Sequence, residues 1–206
     1  EYSGQLPPTY DKVIRHDIFP EPTHDETARF NFIASLNQHL AGVAAGNKIV
    51  YEKRLKPNFN KENGRDFENR HEVHRALKKD PYWKTWSALR RNTMEMRQQA
   101  GRSVVLRQID ELNEKAEILN KGKSTLQLNS EIKSPRYASA VDIHLQVGGY
   151  DTELVEGDIS VGANYDSGIF VTTTGGVGPG IDGGGRAVAT AVKQKFPDFK
   201  PKRILD

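Results

Sequence analysis

Glycine is spread so unevenly along this 206-residue chain that no single architecture can run through it: 12 of its 18 glycines lie between Gly148 and Gly185. A residue without Cβ loses more entropy on ordering than any other, and it lets chain or ligand approach closely. That stretch therefore reads as a permissive connection holding short ordered pieces. β-type runs such as Ile169-Phe170-Val171-Thr172-Thr173 interrupt it, and Gly184-Gly185 leads into a helix from about Arg186 to Phe196, with Val188, Ala191 and Val192 inward. Pro197 and Pro201 bracket the loop that follows, and Lys202-Arg203-Ile204-Leu205-Asp206 reads as the first half of a strand.

Upstream the pattern is different. Residues 1–24 carry Pro7, Pro8, Pro20 and Pro22 with little periodicity and read as an extended arm lying on something else. From Asp25 a helical stripe begins through Phe32, Ile33, Leu36, Leu40, Val43 and Ala44, with Thr23 as N-cap, Glu26 completing a capping box and Gly46 as the stop. Asn58 to Gly64 is loop-like, and Arg65 to Lys79 is a second helix with Val73 and Leu77 inward. Asp80-Pro81 then marks a sharp helix start, since proline's missing N–H costs nothing in the first turn. The stripe Trp83, Trp86, Leu89, Thr93, Met96, Ala100 and Val104 follows and continues, kinked near Gly101, through Ile109, Leu112, Ala116 and Leu119. The expected order is an extended arm over 1–24, a mainly α domain over 25–133 and a glycine-rich α+β segment over 134–206.

Charge follows the same division. Asn47 to Lys133 holds 20 Lys and Arg against 12 Asp and Glu, whereas Ser134 to Val192 holds 2 against 7. The basic residues alternate with acids at helical spacings, as in Arg107-Gln108-Ile109-Asp110-Glu111, which is the pattern of a solvated helix face rather than a nucleic-acid surface. No apolar run approaches the roughly 20 residues that cross a bilayer. The absence of cysteine removes disulfides, thiolate catalysis and Cys-based zinc sites, and the cytoplasm is the expected compartment. His71 and His74 flank Glu72 without a third ligand close by, so no metal is expected. The run Gly178-x-Gly180-x-x-Gly183 lacks the Lys-Ser/Thr ending of a phosphate loop and any acid about 20 residues on, and reads as a lid or connection.

Ser134-Pro135-Arg136-Tyr137, followed by Val141-Asp142-Ile143-His144-Leu145-Gln146-Val147-Gly148-Gly149-Tyr150, resembles a segment of bacterial class I S-adenosylmethionine-dependent methyltransferases. In that family a Pro-Arg-Tyr, an Asp-Ile-His and a Gly-Gly-Tyr stand shortly before the Rossmann core. Arg70-His71-Glu72-Val73, Asp80-Pro81-Tyr82-Trp83, Trp86 to Arg91 and Gly175-Gly176-Val177-Gly178-Pro179 are similar to the same family, so the resemblance runs from about Ala28 to Asp206. It implies methyl transfer to a small acceptor, a Rossmann-like α/β domain whose first strand opens at Arg203 to Asp206, and a chain that stops where the cofactor-binding turn is due. The chain is then the substrate-capping front part of the enzyme, inactive alone, with a homodimer as a possible assembly.

Methyl transfer is an in-line displacement, so the enzyme has to align nucleophile, methyl and leaving sulfur, and needs a base where the acceptor carries a proton. The resemblance makes His144 and Tyr150 the catalytic candidates, Tyr137 and Asp206 the S-adenosylmethionine-binding ones, and Arg136, Asp142 and Gln146 the substrate-binding ones. On a strand Asp142 and His144 would face the same side, suiting an imidazole oriented by a carboxylate and equally an exposed polar face. Tyr faces can hold a sulfonium cation, although ordinary semi-buried packing of Tyr137 and Tyr150 and a backbone hydrogen bond from His144 fit the same residues. The competing class is a non-enzymatic helical interaction module whose basic face docks an acidic partner.

Overall fold

In a computed structural model, residues 9–121, 127, 129, 131–146, 149, 153–155 and 157–203 are described, Ile143 by its backbone alone. In chain order the helices are α1 (His24–Ala44), α2 (Gly46–Val50), a π-turn (Tyr51–Leu55), α3 (Lys56–Asn63), α4 (Arg70–Leu77), α5 (Pro81–Leu106), α6 (Ile109–Asn120), the single turn α7 (Arg136–Ser139), α8 (Ser160–Thr173) and α9 (Gly183–Lys195). Among the described residues there is no strand. None of the helices there is long and apolar enough to cross a membrane.

Three helices make the centre, since α1, α5 and α8 pack against one another in all three pairings. Phe30, Ile33 and Ala34 of α1, Ala100 and Val104 of α5, and Phe170 and Val171 of α8 form one buried cluster, which the preceding arm completes with Tyr10, Val13 and Phe19. The arm therefore lies on the chain's own helices. Tyr10 sits 4.6 Å from Phe30 and 5.3 Å from Phe170, ring centre to ring centre. Ile14 N–H donates to the Pro179 carbonyl at 2.8 Å, and His16 pairs with Asp166 of α8. A second cluster of Val105, Leu112 and Ala163 joins α5, α6 and α8.

The caps read from sequence are present. Thr23 Oγ1 accepts from Glu26 N–H at 3.3 Å, while Glu26 Oε2 accepts from Thr23 N–H at 2.7 Å. Asp80 Oδ1 accepts from Tyr82 N–H at 2.8 Å, with Arg54 on its other oxygen at 2.5 Å. The first turns of α5 are tied to the end of α1: Tyr82 Oη donates to the Val43 carbonyl at 2.7 Å and Trp86 Nε1 to that of Leu40 at 3.1 Å.

Several expectations change. The first helix does end just before Gly46, at Ala44, but the chain re-enters helical structure there as α2 and continues through the π-turn. The loop expected over Asn58 to Gly64 is α3, because Pro57 falls in its first turn and Gly64, at φ 66°, takes the left-handed position that ends it. The helix expected from Arg65 to Lys79 is shorter, since Asn69 Oδ1 accepts from the His71 and Glu72 amides and starts it at Arg70. On α1 the buried face holds Phe30, and Phe32 is exposed. Gly101 lies inside a continuous α5, and the break comes at Arg107–Gln108, where both side chains hold the arm's Glu21 carbonyl, at 2.8 and 3.0 Å.

The β-type run 169–173 is helical: Phe170 and Val171 fill the central cluster from α8, and packing outweighs β propensity. Asp142 to Gln146 is a turn. The strand expected at 202–206 falls mainly on 204–206, which lie outside the described residues.

Candidate functional site

The crossing of α5 and α8 is close because glycines face it. A Cβ on Gly101 would stand 2.2 Å from Asn164 Oδ1, and one on Gly168 would stand 1.8 Å from the Arg97 guanidinium. That proximity puts polar side chains of both helices in the interior. Gln98 Oε1 accepts from Asn164 Nδ2 at 2.9 Å, Arg97 Nε donates to the Gly168 carbonyl at 3.3 Å, and Asn37 Nδ2 donates to that of Val171 at 3.1 Å. Buried amides are costly unless hydrogen-bonded, so these bonds fix how the helices meet.

The amide nitrogen of Gln98 reaches outside the helices. Its Nε2 donates to the His144 carbonyl at 3.2 Å and so clips the Asp142–Gln146 turn onto α5. That turn has two consecutive non-glycine residues in the left-handed region, His144 at φ 57° and Leu145 at φ 59°. Such a conformation costs on the order of 1–3 kcal/mol per residue and persists only where neighbours impose it. The neighbours here are the Gln98 clip, the bond from Leu145 N–H to the Asp142 carbonyl at 3.0 Å, and the bond from Gly149 N–H to the Gln146 carbonyl at 2.8 Å.

The turn carries Gln146 into a small cleft, about 30 Å³, between α5 and α8. Among the described residues Gln98, Arg102, Gln146, Ser160 and Asn164 are its polar lining, and Val105, Leu106, Leu154 and Val161 its apolar walls. Gln146 is 3% exposed, and its Oε1 has no hydrogen-bond partner among the described residues. The loop before α8 shapes the far wall. There Asp158 accepts from the amides of Leu154 at 2.5 Å and Val155 at 3.1 Å, and from Ser160 Oγ at 2.8 Å. Burial alone would raise the Asp158 carboxyl, but these hydrogen bonds outweigh it and hold the group below its ordinary range.

Of the residues singled out from sequence, Gln146 enters the cleft and His144 contributes its carbonyl to the clip. The side chains of Arg136, Tyr137, Asp142 and His144 are exposed, Tyr137 at the single-turn α7. Tyr150 and Asp206 lie outside the described residues. Gln98, Arg102, Asp158, Ser160 and Asn164 were not singled out. The available signal was phase: Gln98 stands three residues before Gly101 and seven before Val105, and so shares their inward face.

The glycine-rich loop ends at α9 with Asp182 in the N-cap position, and a carboxylate there opposes an anion at that helix start. No group of three or more potential metal ligands occurs among the described residues; Glu72 instead takes both Arg65 nitrogens at 2.9 Å. Compared with protein-family models, with curated proteins and with solved structures, the chain matches none.

Proposed function

We propose that this chain is the substrate-capping N-terminal part of a cytoplasmic S-adenosylmethionine-dependent methyltransferase acting on a small molecule. The observation that carries this reading is the Asp142–Gln146 turn. Two left-handed residues, His144 at the end of the Asp-Ile-His element and Leu145 after it, are held by a buried glutamine and deliver Gln146 to a cleft. Backbone strain that the surroundings must maintain is concentrated at ligand-facing positions.

A second support is α9, which has no buried residue and leaves Val188, and Phe196 just beyond it, exposed. A Rossmann-like domain following the chain would cover that apolar side. S-adenosylmethionine, when bound, supplies a methyl group on a sulfonium, and the exposed Tyr137 ring fits a cation at its face. His144, exposed at the turn, takes the acceptor's proton; Arg136, Asp142 and Gln146 orient the acceptor; Tyr150 and Asp206 keep the roles implied by the resemblance.

Calorimetry with S-adenosylmethionine tests the assignment. The 206-residue chain should bind it far more weakly than a chain continued through a Rossmann-like domain after Asp206. Equal micromolar binding by residues 1–206 alone would contradict the proposal, as would a continued chain that does not bind.

A further inference from the structure

The chain from Gly46 to Lys79 forms α2, the π-turn, α3 and α4, and none of its residues is buried. Tyr51, Leu55, Phe59, Phe67, Val73 and Leu77 are only half-buried. Helices this short depend on packing an apolar face, and the chain leaves that face partly open. Tyr51, Leu55 and Phe59 follow one another at four-residue spacing, and the wider π-turn offsets the drift such spacing accumulates in an α-helix. They therefore line one edge. Phe67 stacks on Phe59 with ring centres 4.0 Å apart and lies 5.9 Å from Tyr51. Arg65 fastens this floor: its guanidinium stands 5.2 Å from the centre of the Phe59 ring and donates to both Glu72 oxygens at 2.9 Å. Between α3 and α4 this leaves a groove of about 670 Å³, floored among the described residues by Leu55, Phe59, Phe67 and Ala76.

The rim is divided by charge. Glu62, Asn58 and Asn63 stand on the α3 side, and Arg75, Lys78 and Lys79 on the α4 side. Glu72, also on the α4 side, is already held by Arg65. Neither Lys78 nor Lys79 pairs with a carboxylate among the described residues. Residues 46–84 as a whole hold 11 Lys and Arg against 6 Asp and Glu. We infer that this groove docks a partner protein through an acidic amphipathic helix, its apolar stripe on the ring floor and its carboxylates along the α4 rim. This goes beyond methyl transfer and stands whether or not the chain carries that activity. The described residues offer no strand edge here, so a docked segment satisfies its own backbone hydrogen bonds, as a helix does. A third helix laid on α3 and α4 completes the core that this lobe lacks. A nucleic-acid strand would carry phosphates past Glu62, whereas a helix turns its acids to the α4 side alone. The clamped floor also spares the groove an ordering cost on binding.

The test uses the 206-residue chain and a fluorescein-labelled synthetic helix of about 18 residues, with leucines at i, i+3, i+4 and i+7 and glutamates on one flank. Three further probes are the same peptide with Lys for Glu, a scramble that breaks the stripe, and a single-stranded thymidine oligonucleotide. Fluorescence anisotropy should saturate with the acidic helix at a Kd about ten-fold below that of each other probe. Lys78→Glu with Lys79→Glu, both exposed, should weaken it about ten-fold at an unchanged thermal midpoint and reduce its salt dependence. Ala76→Arg, in the floor, should remove saturation, whereas exposed Lys48→Glu, outside the groove, should change Kd by less than about two-fold. The inference is overturned if no probe saturates, if any other probe binds as tightly, or if the double lysine variant binds like the parent. Sedimentation of the chain alone adds one more outcome: a dimer that Ala76→Arg dissociates would place a second copy in the groove and overturn the partner. Should Ala76→Arg fail to fold, the surface lysine pair decides.

Discussion

Tyr10 brings a phenol into the centre of the three-helix packing, where its hydroxyl has no hydrogen-bond partner among the described residues. Burial raises its pKa far above the ordinary 10.0; the nearby Arg15 only partly offsets that, and Asp166 and Glu21 add to it. A raised folded-state value means the neutral form is favoured on folding. Stability is therefore complete below about pH 10 and declines as pH climbs from there toward the folded value. Tyr10→Phe should keep or raise the thermal midpoint at neutral pH, because an unsatisfied buried hydroxyl is removed at constant shape. It should also flatten the alkaline decline, measured as thermal midpoint against pH. A large loss at neutral pH would mean the hydroxyl has a partner after all.

Arg90 and Arg91, adjacent in sequence, separate at the same scale. Arg90 pairs with Oδ1 of the buried Asn37, whereas exposed Arg91 meets only Glu95 one turn on. Arg90→Ala should cost about 1–3 kcal/mol by leaving a buried amide unsatisfied. Arg91→Ala should stay within about 0.5 kcal/mol in the same denaturant titration. Composition treats the two alike; the difference lies in Asn37, a polar residue on the inward face of α1 that an apolar stripe passes over.

At the scale of elements, the start of α1 and the end of α5 are joined by Arg107, which donates to Glu26 at 2.7 and 3.2 Å and to the Glu21 carbonyl at 2.8 Å. Burial pushes the Glu26 carboxyl up, but the Arg107 guanidinium and the Thr23 amide outweigh it and leave the pKa below the ordinary 4.5. A depressed folded-state value contributes stability above pH 4.5 and loses it as pH falls below that. Arg107→Ala should therefore lower stability at pH 7 and shrink the loss between about pH 5 and pH 3, read as thermal midpoint at each pH. An unchanged acid slope would contradict this. Thr23, Glu26, Asp80 and Pro81 made these helix starts legible, since each cap is a local signal. The helical state of 169–173 was not legible, because packing of Phe170 and Val171 against Phe30 and Tyr10 depends on residues far apart in sequence.

For the whole molecule, the mainly helical character could be read from periodicity and caps, whereas the place of α8, inside the stretch read as a glycine-rich connection, in the central packing could not. The cleft could not. Its walls come from α5, α8, the 142–146 turn and the loop before α8, brought together by the Gln98 hydrogen bonds and the glycine-lined crossing. Gln146 was legible only through the resemblance, and Gln98 was hidden among apolar neighbours. The account's central claim, that this helical cap serves methyl transfer, meets its most direct test in turnover from S-adenosylmethionine by the chain continued past Asp206, compared with its His144→Ala variant at matched thermal midpoint. The account predicts kcat about 100-fold lower in the variant, the range of a positioned general base, with folding unchanged. Normal turnover per folded molecule in His144→Ala, or no methyl transfer by the continued chain, would contradict it.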